Sequence, residues 1–502
     1  MTAATLFSGV SVWDGHSVIG PTDVLVEAPF IRSIGSAAHT SAPLGCTVIS
    51  GARKLLIPGL INGHFHSSTN HLKGRFPSRP LETFMLFESP LDTVNPPTPR
   101  EVYLRTALGA IEMLQSGTTA VADDAFFLPH PTPELIDAVM QAYADTGIRA
   151  TVALDQPELP EVEKLPFLDA LATGTPYDDR LRTRGAPAEQ LLDAYDHLFS
   201  RWHDTSDNRL RAAVSVSAPQ RVSLDYHRAL IDLSERHRTP LYAHILETRT
   251  QRVLGHQSSR FSSASLIRYC AEHDLLTPRT DIIHAVWVDD DDMDLIAASG
   301  ATVAHNPVSN LRLGSGIMPL RRMLDRGIPV ALGVDEAVCN DAIDMWSVVR
   351  MAGLIHNITD ADPARWPQPQ EILDCLWRGG AHALGLDGSL GRIEAGALAD
   401  LALVDLSGPA FTPLNDAAGQ LVYCASGADV TLTMVAGRVV CADRHLTLVN
   451  QGDLLAECRE LYAARAAEQE HMDSQAAQYL SIYSAMLDRA RHTEVGMNRL
   501  AL

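Results

Sequence analysis

GLINGHFH at residues 59–66 is an apolar run that ends on two histidines, His64 and His66, and it is the first of eight strand-like runs. The others are TTAVADD (118–124), RATVALD (149–155), RAAVSVS (211–217), PLYAHIL (240–246), TDIIHAVWV (280–288), ATVAHNP (301–307) and PVALGVDE (329–336). Between them lie amphipathic stretches with three-four spacing, such as Tyr103, Ala107, Ala110, Ile111 and Leu114. Strand-like runs alternating with helical ones are the pattern of βα units around a parallel sheet. Eight such units close a (β/α)8 TIM barrel, so the chain is expected to be an α/β protein with the barrel over 58–387.

Outside the barrel, residues 1–57 and 388–450 share short β pieces broken by Gly and Pro, and they predict one small β-sandwich domain built from both chain ends. Residues 451–502 keep helical spacing through Leu454, Cys458, Leu461, Tyr462, Ala466, Met472, Ala476, Tyr479, Leu480, Tyr483 and Leu487. They predict a helical extension of one or two helices that packs either on its own barrel or on a second subunit. A stretch rich in Pro, Gly and acids within 156–187 interrupts the regular spacing where a barrel places active-site loops, and is expected to cover a substrate.

At 502 residues, 46% of them hydrophobic and 20% charged, the chain has ample material for a large core. Its 61 acids against 40 Lys and Arg leave a net charge of −21, which opposes the phosphate-neutralising surface that nucleic acid requires. No run reaches the length of a membrane span, and the start lacks the layout of a signal peptide, so the expected location is cytoplasmic. The seven cysteines are scattered, with no C-x-x-C pair, so neither a disulfide framework nor a thiolate zinc site is suggested and a reducing compartment fits. The expected partners are a small-molecule heterocyclic substrate and other copies of the chain in a homo-oligomer (dimer or tetramer), with neither nucleic acid nor membrane.

His64 and His66 lie two apart in a strand, and alternation puts both rings on one face. His244 lies late in the fifth run, His284 in the sixth, and Asp335 ends the eighth. All fall at or near the carboxyl ends of barrel strands, the face on which barrel enzymes carry their chemistry. Neutral imidazoles with one carboxylate and an open position suit a catalytic site for a single zinc or ferrous ion per chain.

In these motifs the chain resembles the amidohydrolase superfamily, in its branch of cytosine-, guanine- and adenosylhomocysteine-deaminase-like and triazine-hydrolase-like enzymes. The likeness spans PGLINGHFH (58–66), GTTAVAD (117–123), HILET (244–248), DIIHAVWV (281–288), VAHNPVSNLRLGSGIMP (303–319), ALGVDE (331–336) and GRIEAGALADLALVD (391–405). The resemblance implies His64, His66, His244 and Asp335 as metal ligands, His284 as the residue that orients the attacking water, with Asp335 also serving in catalysis, and Glu247 as the proton shuttle. Two-metal relatives bridge their ions with a carboxylated lysine on the fourth strand. This chain has only Lys54, Lys73 and Lys164, none of them there.

The chain departs from that pattern in two places. Ser217-Ala218-Pro219-Gln220 stands where many of these deaminases have His-Ala-Pro, and Glu336 follows the metal Asp where Gly is usual. Glu336 either accepts hydrogen bonds from an amino, amidine or guanidine group or is a turn residue facing solvent. Gln220, Asn306, Asn310, Phe84, Phe87, Phe126 and Trp287 are candidate pocket walls. The expected activity is metal-dependent hydrolytic deamination of a purine, pterin, pyrimidine or triazine, releasing ammonia. The alternatives are displacement of chloride, methylthio or alkylamine from a triazine-like ring and, more remotely, a non-catalytic barrel.

Overall fold

The computed structural model describes residues 4–92, 95–262 and 265–500, so the outermost residues of the two terminal segments lie outside the described residues. Eight parallel strand positions form a ring: β1 (Leu60–His66), β2 (Thr118–Phe126), β3 (Arg149–Asp155), β4 in two pieces (Leu210–Ala212 and Val214–Ser215), β5 (Leu241–Ile245), β6 (Thr280–His284), β7 (Thr302–His305) and β8 in two pieces (Val330–Leu332 and Asp335–Glu336). The strands read as unbroken apolar runs because parallel strands of this class are covered on both faces.

Closure of the ring depends on the two interrupted strands. The first piece of β4 pairs with β3 and the second with β5. The first piece of β8 pairs with β7, while the second pairs with β1 through Asp335 beside Phe65 and Glu336 beside His66. Gly333 sits in the gap of β8. A Cβ there would stand 2.3 Å from Asn306 Oδ1 and 2.9 Å from His64, so only glycine lets these two residues approach. Ile61, Ala120, Ala122, Ala153, Ala213, Tyr242, Ile283, Ala304 and Ala331 form one buried cluster among the barrel strands.

Two helices follow β1 before β2: α1 (Leu81–Glu88) and α2 (Pro99–Gln115). Thr98 caps α2, accepting from Glu101 N while the Glu101 carboxylate accepts from Thr98 N, with Pro99 at the first helical position. Nine strands drawn from 4–58 and 401–446 form a single hydrogen-bonded sheet, in which Lys54–Pro58 runs antiparallel to Leu401–Asp405. It packs around Phe7, Val10, Val24, Ile31, Leu56 and Met434.

The C-terminal segment forms three helices, α3 (Gln451–Ala464), α4 (Ala466–Ala477) and α5 (Leu480–His492). Ile482, Tyr483 and Met486 of α5 are buried against Leu168 and Leu181 of the 156–187 stretch, and Phe84 and Phe87 of α1 belong to the same cluster. Among the described residues no helix is long and apolar enough to cross a membrane.

Candidate active site

The carboxyl ends of β1, β5, β6 and β8 bring His64, His66, His244, His284 and Asp335 to one buried point. His66 Nε2 and His244 Nε2 lie 3.3 Å apart, and Asp335 Oδ1 is 3.5 Å from His64 Nε2 and 3.7 Å from His66 Nε2. Among the described residues, three overlapping sets place their donor atoms within 4.8 Å of one another: His64, His244 and His284; His64, His66 and Asp335; and His66, Asp155 and His244.

The backbone is bent to achieve this. Ser217, Leu246, His284 and Asp335, at or just past the ends of β4, β5, β6 and β8, all have left-handed φ between 55 and 75°. Such conformations are disfavoured for non-glycine residues and concentrate at functional sites.

The ring orientations decide what the site can hold. His66 Nδ1 donates to the carbonyl of Asp124 at 2.6 Å, and His244 Nδ1 donates to that of Ser217 at 2.9 Å. Carbonyls only accept, so each Nδ1 carries the proton and each Nε2 presents a lone pair. Two lone pairs then face each other, and His64 Nε2 is likewise buried without a partner. Burial pushes the pKa of His64 down to about 3 and that of His244 well below its usual value, so both are neutral imidazoles. Burial opposes protonation of His66 as well, but Asp335, Asp155 and Asp124 outweigh it. Three imidazole Nε2 atoms and a carboxylate converging on one point fit a divalent cation.

Around this point stand three groups suited to moving protons. His284 Nε2 is 3.7 Å from Asp335 Oδ2 and 3.6 Å from Glu247 Oε2. Its Nδ1 donates to Asn310 Oδ1 at 2.9 Å, which fixes the ring. Burial raises the pKa of Glu247, with Asp335 and Glu82 adding to the rise and His284 opposing it. Asp335 has the opposite balance: burial would raise it, but the His64 ring 3.5 Å away and the charges of His284 and His66 hold it below the usual range. Ser309 donates to Asp335 Oδ2 at 2.6 Å and Ser315 to Glu247 Oε1 at 3.3 Å.

A cavity of about 790 Å³ opens over these groups. Its walls include Glu88, Asp155, Gln156, Gln220, Arg221 and Glu336, and the segment from Pro157 to Ala186 forms one side. Asp155 Oδ1, Gln156 Nε2 and Gln220 Oε1 are buried there without partners. Burial, followed by Glu88, Asp335 and Glu247, raises the pKa of Glu336 well above the usual value.

Of the candidate walls, Gln220, Glu336 and Phe126 line this cavity, whereas Phe84, Asn306 and Trp287 do not. Phe84 packs on Phe76 in the apolar cluster, at 5.9 Å between ring centroids. Asn306 is fully buried behind the site, 3.4 Å from His284 Nδ1. Trp287 is 1% exposed and donates to the Ser315 carbonyl at 2.7 Å, bracing the loop that meets Glu247. Asn310 and Phe87, also expected as walls, do not line the cavity either, and Asn310 instead accepts from His284 Nδ1; Ser309 and Ser315 were not singled out from the sequence, although HNPVSNLRLGS holds both.

The sequence model of the amidohydrolase family matches residues 55–440. The chain is 34% identical over 451 residues to a 5-methylthioadenosine/S-adenosylhomocysteine deaminase of Nitratidesulfovibrio vulgaris (strain Hildenborough), covering 89% of this chain and 93% of that protein. It is 30% identical over 468 residues to a 5'-deoxyadenosine deaminase of Methanothermobacter thermautotrophicus, covering 92% and 98%. A crystal structure of an adenosine deaminase from Xanthomonas campestris with bound zinc superposes with a TM-score of 0.80 at 24% identity, over 93% of this chain and 99% of the other.

Proposed function

The chain belongs to the amidohydrolase family, and from that membership we propose that its substrate is a 6-aminopurine nucleoside and that His64, His66, His244 and Asp335 hold one zinc or ferrous ion. It is a hydrolase of carbon–nitrogen bonds other than peptide bonds, and it deaminates an amino-substituted nitrogen heterocycle. The curated relatives support the finer reading, since both are named for adenosine derivatives that differ at the 5' position. A cavity of about 790 Å³ is of the size that takes such a ligand whole.

The observation that carries the proposal is His284 Nε2 standing between Asp335 Oδ2 and Glu247 Oε2 at 3.7 and 3.6 Å. An ion bound beside them supplies Lewis acidity, which brings the pKa of water from about 16 to about 7. His284 and Asp335 hold the attacking water and take its proton. Glu247, whose pKa burial raises, gives its proton to the ring nitrogen next to the amino-bearing carbon. A carbon–oxygen bond forms at that carbon. The proton taken from the water then goes to the amine, and as the carbon–nitrogen bond breaks to release ammonia the hydroxyl proton of the adduct returns to Glu247 and leaves a carbonyl. Gln220, whose Oε1 is unpartnered, meets the ring from the cavity wall.

All seven cysteines are free thiols, which supports a reducing cytoplasmic setting, and we take the working form to be a homo-oligomer. The test is a coupled ammonia assay over adenosine, 5'-methylthioadenosine, S-adenosylhomocysteine, aminopterins and aminotriazines. Ammonia from at least one adenosine derivative is expected. Chloride or alkylamine released from a triazine, with no ammonia from any nucleoside, would overturn the proposal.

A further inference from the structure

A second, smaller cavity of about 90 Å³ adjoins the first, and the two share Glu88, Phe126 and Leu128. Its walls also include Arg105 of α2, Ser68 and His71 from the segment after β1, and Tyr462, Arg465 and Glu468 from the C-terminal segment. Arg105 is 8% exposed. Among the described residues its guanidinium makes no ion pair and no hydrogen bond, and its Nε is a buried donor without an acceptor. A buried cation with no counter-ion is a costly arrangement that a fold retains only if something completes it.

The nearby acids are otherwise engaged: Asp123 accepts from Ser67 N at 2.9 Å and from the Tyr143 hydroxyl at 2.8 Å. Glu101 is bound by Arg465 and by Thr98 N. Glu468 accepts from Arg465 Nε at 2.8 Å. Glu88 is shifted by burial toward its neutral form. Two further polar atoms in the same wall, Ser68 Oγ and His71 Nδ1, lack partners among the described residues, and the His71 ring is held by stacking on Tyr462 at 4.4 Å between centroids.

We propose that this cavity binds a small oxyanion, a carboxylate or phosphate group, with Arg105 as its counter-ion and Ser68 and His71 as hydrogen-bond partners. A guanidinium pairs in fork geometry with both kinds of group. The volume holds several water-sized groups, enough for either. The anion is either free or the acidic end of a substrate whose ring lies in the larger cavity, since one wall serves both.

The test uses the full-length, metal-loaded protein and its Arg105→Met variant, which keeps an unbranched stem. Each is titrated with inorganic phosphate and with acetate, against potassium chloride at matched ionic strength, while the unfolding temperature is followed. A saturable rise in the wild type that the variant loses identifies a free anion. In the second arm, nucleosides with and without an acidic tail are compared as substrates. A rise in KM of about ten- to a hundredfold in Arg105→Met, confined to the acidic-tailed compound, identifies the substrate's tail. If the variant fails to fold, an anomalous peak beside Arg105 in wild-type crystals soaked with selenate supports the site. Absence of the thermal shift, the KM effect and the peak overturns it. The titration does not use the deaminase activity, so failure of the proposed reaction leaves it readable.

Discussion

Glu247 reaches His284 because Leu246, with φ of 55°, turns the chain directly after β5, and Ser315 then fixes one of its oxygens. Replacement by Gln keeps shape and hydrogen bonding but removes the transferable proton. Glu247→Gln is expected to retain its metal by elemental analysis while kcat falls about 100- to 10,000-fold. Loss of metal instead would put Glu247 among the ligands. His66→Ala removes one of the facing lone pairs, and metal affinity should fall by more than the roughly 10- to 100-fold typical of outer-shell changes. An equilibrium chelator titration measures this, and an unchanged affinity would exclude His66 as a ligand. These residues were legible in the sequence because a histidine at a strand end carries its position with it. Ser309 and Ser315 were not, since a serine signals nothing until the fold shows which carboxylate it meets, and Asn310 was read as a pocket wall although it meets the His284 imidazole.

Among the elements, the eight strands could be read because buried parallel strands leave continuous apolar runs. The breaks in β4 and β8 could not, because they depend on contacts between distant segments, such as Gly333 against Asn306 and His64. The C-terminal periodicity pointed to one or two helices where three form, and Ala476, Tyr479 and Tyr483 of that periodic set are buried in the apolar cluster. Leu487 is only partly buried, while Ile482 and Met486 are almost wholly so. Through them α5 holds the 156–187 stretch over the cavity, aided by Tyr483 donating to Glu161 Oε2 at 3.1 Å. Met486→Ala removes a fully buried side chain from that contact, at a cost of about 2–5 kcal/mol. Amide exchange should quicken across 157–186 and α5 while the barrel strands stay protected, and KM should rise. Uniform quickening across the barrel would mean that α5 supports the whole core rather than the cover.

At the scale of the molecule, the barrel and the sheet from both chain ends are tied by a buried pair. Arg149, at the start of β3, donates to Asp400 at 2.7 and 3.0 Å, and Asp400 also accepts from Ala436 N at 2.8 Å. Asp281 in β6 has no such partner: both of its oxygens are buried and unbonded among the described residues, and burial pushes its pKa up to about 8. In the unfolded chain the same group titrates near the ordinary value of 3.8. Between those two pH values the folded state therefore holds a proton that the unfolded state releases, so this group's contribution falls as pH rises. It is most favourable below about pH 4 and levels off above about pH 8. Asp281→Asn removes the titration while keeping the shape. Its stability relative to the wild type, measured by denaturant unfolding of the metal-loaded proteins, should improve by about 1 kcal/mol per pH unit across that window. Other carboxylates, Asp335 among them, give pH slopes of their own, but they are common to both proteins and cancel in the difference. A difference that does not change with pH would show that Asp281 is solvated in the folded state and carries no such penalty.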